Sequence, residues 1–432
     1  MGRQKLGKAK RRAEPPPRNF LKTLGPGLIT GASDDDPSGI ATYSQAGAQF
    51  GFSMLWTMIL VFPFMAAIQM ISALIGRVTG QGIAGNLRRH YARWIMFPMI
   101  GLLLVANIIN LTADLNAMGA ALQLLVHGPA QLYSALFAAG SVILQIRIPY
   151  SKYANYLKWL CLVLFAYVVT VLVVKVNWKE ALWGTLVPKI PWDSDGITML
   201  IAILGTTISP YLFFWQASAE VEEIKAHTEE KALKDEPRQK TTQVERIQWD
   251  TFVGMALSNI IAWSIILTVA ATLHAHGATK IESASQAAEA LRPVAGSMAF
   301  LLFSVGIIGT GLLALPVLAG SAAYAVGEAL RWPVGLDRKA REAKGFYAVI
   351  AVATILAVLL NFTNMDPIKE LFWSAVINGV IAAPLMVLMM LMTTNKKVMG
   401  KMTLSPRLRF FGWASTVMMV AAGVAFFVTL KP

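Results

Sequence analysis

A single cysteine, Cys161, stands among the 432 residues, so no intramolecular disulfide can form. Charge is scarce too: Asp, Glu, Lys and Arg make up 14% of the chain, where a water-soluble domain carries about 25%. The sequence has no glycine-rich phosphate loop, no zinc-ligand spacing and no nucleophile elbow, which excludes ATPase and hydrolase readings. It does not read as an enzyme, and no cofactor is expected. No cleavable leader is apparent. What fills the chain is apolar: 56% of its residues are hydrophobic and mean hydropathy is +0.55. Runs long enough to cross about 30 Å of hydrocarbon begin near Leu24, Met54, Trp94, Gln131, Tyr156, Gly196, Phe252, Val294, Phe346, Ile368 and Phe410. These predict an all-α integral membrane protein with about eleven transmembrane helices.

The net charge of +14 does not indicate a nucleic-acid partner, because of where it sits. If the N-terminus is cytoplasmic and sides alternate, 31 of the 38 Lys and Arg fall on inner segments. That is the positive-inside pattern, and it predicts N-terminus inside and C-terminus outside, in a bacterial-type plasma (inner) membrane. Residues 1–22, with the basic run Arg3 to Arg12 and then Pro15, Pro16 and Pro17, read as a disordered tail that touches anionic headgroups. Residues 23–393 then form a ten-helix core, and 394–432 an inner loop with the eleventh helix. Trp178 to Trp192 and Ile281 to Leu291 read as outer linkers, the second interfacial and helical. Glu220 to Arg246, rich in both signs of charge, reads as a solvated inner loop.

Two spans are interrupted. The first carries Asp34-Asp35-Asp36-Pro37 in its middle, and the sixth carries Ser209-Pro210 after Gly205-Thr206-Thr207. Proline removes a backbone donor and clashes with the preceding turn, so each helix should break there. In hydrocarbon the freed backbone groups must face protein or a water-lined cavity. Breaks five spans apart predict a 5+5 inverted repeat with its site near the midplane. Three carboxylates at one break favour a cation over an organic anion, since a charge at that depth costs several kcal/mol unless it is compensated. Asp36, next to the proline, is the first-choice metal ligand. Asp34 and Asp35 point about 100–200° away on a helix and line the pathway. Ser33, Ser38, Thr206 and Ser209 add oxygen donors. Asp114, beside Thr112 and Asn116 in the third span, either relays protons or is a buried, hydrogen-bonded acid. Asn378 of the tenth span either faces the cavity or ties helices together.

The first span resembles that of the natural-resistance-associated macrophage protein (Nramp) family of proton-coupled manganese and iron transporters. The family pattern is Gly-Pro-Gly, nine residues to Asp, then Asp-Pro-Gly-Asn-x-Ala-Thr; here stand Gly25-Pro26-Gly27 and Asp36-Pro37-Ser38-Gly39-Ile40-Ala41-Thr42. The sixth span is similar to the family's Gly-Ala-Thr-Val-Met-Pro-His-Asn, keeping Gly205, Thr207 and Pro210. The resemblance implies a leucine-transporter-type fold and secondary transport of divalent metal cations into the cytoplasm. It places the family's ligand Asn on Gly39, its ligand Met on Ser209, and its two sixth-span His on Tyr211 and Gln216. Thioethers suit softer metals, whereas hydroxyl and carbonyl oxygens suit magnesium, calcium and manganese. The expected cargo is therefore magnesium or manganese, with iron within the family's range, as in divergent Nramp-related magnesium transporters. Losing both His argues against proton coupling. The competing reading on the same fold is a sodium- or proton-coupled symporter of amino acids or similar solutes. Beyond the metal and the bilayer, no obligate protein partner is expected.

Overall fold

A computed structural model describes residues 25–149, 152, 161–227, 229–362 and 366–429. The basic tail 1–22, the expected start of the fifth span near Tyr156 and the side chain of Cys161 lie outside the described residues. The described elements are all helical. Helices α1 (Pro26–Asp34) and α2 (Pro37–Phe50) make the first span. Spans two to four are α3 (Trp56–Thr79), α4 (Arg93–Gln123) and α5 (Ala130–Arg147), and α6 (Phe165–Val173) is the described part of the fifth. The sixth is again two pieces, α7 (Ser194–Thr207) and α8 (Pro210–Ala226). Then come α9 (Lys240–Thr272), α10 (Ala299–Leu330), α11 (Lys344–Leu360), α12 (Pro367–Thr394) and α13 (Pro406–Thr429). Seven helical segments are long and apolar enough to cross a membrane by themselves. The other four expected spans are the broken first helix, the 18-residue α5, the 17-residue α11 and the partly described fifth.

The two breaks share one backbone design. Asp35 (φ −84°, ψ 47°) ends α1, and Asp36 (φ −67°, ψ 171°) is extended before Pro37, the first residue of α2. Ile208 (φ −123°, ψ 58°) ends α7, and Ser209 (φ −78°, ψ 133°) is extended before Pro210, the first residue of α8. Proline pushes the residue before it out of the helical region and is tolerated where a first-turn N–H has no partner, so each break is set locally.

Packing follows the exchange that a five-plus-five repeat demands. The first helix lies on α9 (span seven) and α8 lies on α3 (span two), while α4 packs on α10. Two close approaches require glycine. A Cβ on Gly31 would sit 2.3 Å from the carbonyl oxygen of Gly254 on α9, and one on Gly205 would sit 2.0 Å from the Ala375 carbonyl on α12. Small residues let helix backbones meet where lipid gives no hydrophobic push.

The linker Trp178–Leu186 is helical with Trp178 and Trp183 exposed, and the second linker forms a short helix over Ala284–Glu289. The charged loop between α8 and α9 differs from expectation in part. Glu220 and Gln243 are buried, and Arg246 pairs with Glu220. Glu230 pairs with the buried Arg77 at 2.5 Å, while the Leu233 and Lys234 amides donate to the carbonyls of Arg77 and Val78. These two pairs clamp α3, α8 and α9 together, while most other charges of the loop, among them Lys231, Lys234, Asp235, Arg238 and Glu245, are exposed as expected. Alternating signs permit either outcome, and only the placement of the helix ends decides between them.

Candidate functional site

Asp36 begins α2, and its own sequence supplies half of its environment. Oδ1 accepts from the Gly39 amide at 2.8 Å, as an N-cap does, and from the Ser38 hydroxyl at 2.6 Å. Oδ2 accepts from two distant helices: the Tyr211 hydroxyl on α8 at 3.0 Å and the Asn110 amide on α4 at 3.2 Å. The Ser33 carbonyl lies 3.1 Å from the same hydroxyl and competes for its one proton, so one phenol closes over both sides of the first break. Asn378 on α12 donates to Asn110 Oδ1 at 3.1 Å, which extends the network to the tenth span. Asp36, Asn110, Tyr211 and Asn378 are each at most 1% exposed, so the centre is occluded from both sides.

The other carboxylates face elsewhere. Asp34 and Asp35 turn to Ser258 on α9, whose hydroxyl lies 2.7 Å from Asp34 Oδ2 and 3.1 Å from Asp35 Oδ1. A hydroxyl has one proton to donate, so the two acids share a single partner there. Asp114, one turn along α4 from Asn110, is fully buried with both oxygens lacking a hydrogen-bond partner among the described residues. No ion pair to Asp34, Asp35, Asp36 or Asp114 exists among the described residues. Four acids at depth without a protein cation leave a centre that attracts positive charge.

The sixth span contributes differently. Ser209 occupies the position equivalent to Asp36, but its hydroxyl points back into α7, sharing its one proton between the carbonyls of Gly205 (2.7 Å) and Thr206 (2.8 Å). It thereby uses two of the carbonyls that the break frees. Thr206 does approach the first break: a Cβ on Gly39 would lie 3.2 Å from Thr206 Oγ1 and 3.3 Å from the Asp34 carbonyl. Gln216 lies two turns below the break, where the Thr30 hydroxyl of α1 donates to its Oε1. The fold thus brings Ser33, Asp36, Ser38, Gly39, Thr206, Tyr211 and Asn378 together. Gln216 ties α1 to α8, and Asp34 with Asp35 flank the centre. Among the described residues no cluster of three or more His, Cys, Asp or Glu is arranged to hold a metal. The donors at hand are one carboxylate with amide, hydroxyl and carbonyl oxygens.

Three contributors escaped sequence reasoning. Asn110 is one, although Asn107, Asn110 and Asp114 form a polar stripe at helical spacing in an apolar span. Ser258 is another and carried no local signal. The third is Asp250 on α9, whose carboxylate accepts from the backbone amides of Gly25, Gly27 and Leu28 at 2.9, 2.7 and 3.1 Å. It satisfies the N-terminus of α1 from another helix and favours that end of the helix dipole.

Half-helices broken at equivalent points of two five-span halves, meeting at a buried polar centre, define a membrane protein of the leucine-transporter-type fold. The profile of the natural resistance-associated macrophage protein-like (Nramp) family matches residues 27–429, and the chain belongs to that family of transporters. A manganese transporter of Eremococcus coleocola superposes with a TM-score of 0.72 at 17% identity, over 96% of this chain and 90% of that one. The nucleobase-cation-symport-1 family transporter Mhp1, in a closed conformation, gives 0.62 at 14% identity over 94% and 89%. MhsT in complex with L-phenylalanine gives 0.60 at 12% identity over 94% and 98%. At these identities the structures establish the shared fold.

Proposed function

We propose that the protein carries a divalent metal cation past Asp36 and into the cytoplasm, and that a hard ion, magnesium or manganese, is its cargo. Family membership supports metal transport. The observation that carries the reading is the set of four buried acids without a protein counter-charge, one of them capping the first break. In the occluded state Tyr211 and Asn110 donate into the acceptor positions of Asp36 that a cation would use. Loading then needs the phenol to withdraw and the Asn110 amide to present its oxygen in place of its nitrogen. Ser38 and the carbonyl of Ser33 lie beside the same carboxylate. Such a set holds no thioether and no imidazole, which favours magnesium and manganese over softer ions. An ion that dehydrates reluctantly also keeps some of its waters. The symporter reading for organic solutes fares worse, because a carboxylate-bearing solute would meet acids at the break.

Tyr211 and Gln216 leave this centre without imidazole, so the membrane potential drives uptake with little or no proton co-transport. Two charges crossing about 100 mV gain roughly 4.6 kcal/mol, more than a thousandfold in concentration. The test is uptake of magnesium, manganese and calcium into proteoliposomes at a clamped potential, with internal pH recorded. Uptake that scales with potential and leaves internal pH steady is expected. Metal-dependent acidification that disappears in Asp114→Asn would instead assign proton coupling to Asp114.

A further inference from the structure

A second polar assembly lies at the end of the bundle opposite Gly25 and Asp250. There the last turns of α4, the start of α5, the linker before α10, Asn361 after α11 and the first residues of α12 border a cavity of about 550 Å³. Asn116, Asn361, Asp366, Ser283 and Ser285 line it. The Asn116 amide donates to Glu370 Oε2 at 2.7 Å, and Glu370 lies one helical turn beyond Asp366 on the same face of α12. Asn361 is 4% exposed, and neither its amide nitrogen nor its amide oxygen has a hydrogen-bond partner among the described residues. A buried amide left unpaired costs free energy, so an unpartnered amide lining a polar cavity marks a place for a ligand. Two carboxylates set the sign of that ligand.

We propose that this cavity is an outer loading site, where a hydrated divalent cation is held by Asp366 and Asn361 in the field of Glu370, behind Asn116, before it reaches Asp36. The idea rests on the reading that the cargo is a divalent cation. Six waters at about 30 Å³ each fit the volume, and a polar lining of that size suits an ion that keeps its hydration shell. From Asn116 the route runs down α4 past Asp114 to Asn110, six residues or about 9 Å along the helix. Glu370 positions the ion by its charge, and Asn116 holds the carboxylate in place.

Manganese binding to the detergent-solubilised protein, followed by electron paramagnetic resonance, tests the site together with uptake kinetics. Wild type should bind a tighter and a weaker equivalent. Asp36→Ala should keep only the weaker, and Glu370→Gln, which preserves the acceptor for Asn116, should lose it. In proteoliposomes Glu370→Gln should raise KM about fivefold, the order expected of one partly screened charge, with maximal rate within about twofold. Glu370→Asp should restore most of the affinity. Asn361→Asp, which adds a carboxylate to the cavity, should lower KM, an effect that a folding defect does not mimic. If wild type transports manganese while Glu370→Gln and Asn361→Asp leave KM and binding unchanged, the outer site is overturned alone. If wild type neither binds nor transports any divalent ion, the transport reading falls and takes this site with it.

Discussion

The two helix breaks have nearly the same backbone and opposite chemistry. In each, a helix ends, one residue is extended, and a proline restarts the chain. At the first break the extended residue is Asp36, whose carboxylate caps the helix ahead and faces α4 and α8. At the second it is Ser209, whose hydroxyl turns back onto the helix behind. One break carries a buried carboxylate, the proposed ligand of the ion. The other keeps its carbonyls occupied and lends Tyr211 as a closing donor. A twofold-related scaffold therefore gives a one-sided site, because a single side chain at the cap decides what each break can bind.

The largest test of that asymmetry is substitution at the two caps. Asp36→Ala should abolish metal uptake, with Asp36→Asn nearly as damaging because shape without charge does not compensate a divalent ion. Ser209→Ala should retain substantial uptake. Equal losses at both positions in proteoliposome assays would show that the breaks share the load. The inner anchors should differ next. Asp250→Ala strands the three amides of Gly25, Gly27 and Leu28, a loss of about 2–3 kcal/mol for bonds to a charged acceptor. A clear fall in thermal midpoint in detergent is expected, and an unchanged midpoint would mean that α1 is held by its glycine packing on α9 instead.

A smaller change should come from restoring the family's soft-metal residues. Gly39→Asn with Ser209→Met should increase competition by cadmium and manganese, while magnesium uptake falls or stays level. The Asn must displace Thr206 and the Asp34 carbonyl slightly, since a Cβ at position 39 already approaches them at 3.2 and 3.3 Å. An unchanged competition profile would place neither residue against the ion.

The least effect is expected in the inner loop, away from both breaks. Burial pushes the Glu230 carboxyl up, but the hydrogen bond and charge of Arg77 outweigh it and hold it below the usual carboxylate range. A depressed carboxylate stabilises the fold above its unfolded pKa, about 4.3, and that contribution fades as pH falls through the folded value. Hydrogen exchange at Leu233 and Lys234, corrected for intrinsic rate, should therefore show protection at pH 6 that weakens below about pH 4. Constant protection would remove Glu230 from the clamp.

Much of this protein is written in its sequence. Apolar runs of spanning length and the proline after each short polar stretch determine the helices and where two of them break, because hydrocarbon forbids unpaired backbone and proline forbids continuity. Asp36 is legible for the same reason, as the acid at the break. Tertiary structure alone decided the rest. Asn110 and Asp250 lie 74 and about 220 residues from the groups they bind, and no local pattern in the chain encodes such distances. Only packing turned Asp34 and Asp35 to Ser258 and sent Ser209 back onto its own helix. The chain specifies where backbone must open, since that is a local steric matter. Which side chains then meet at the opening depends on how distant helices pack, and so on every glycine contact that lets them close.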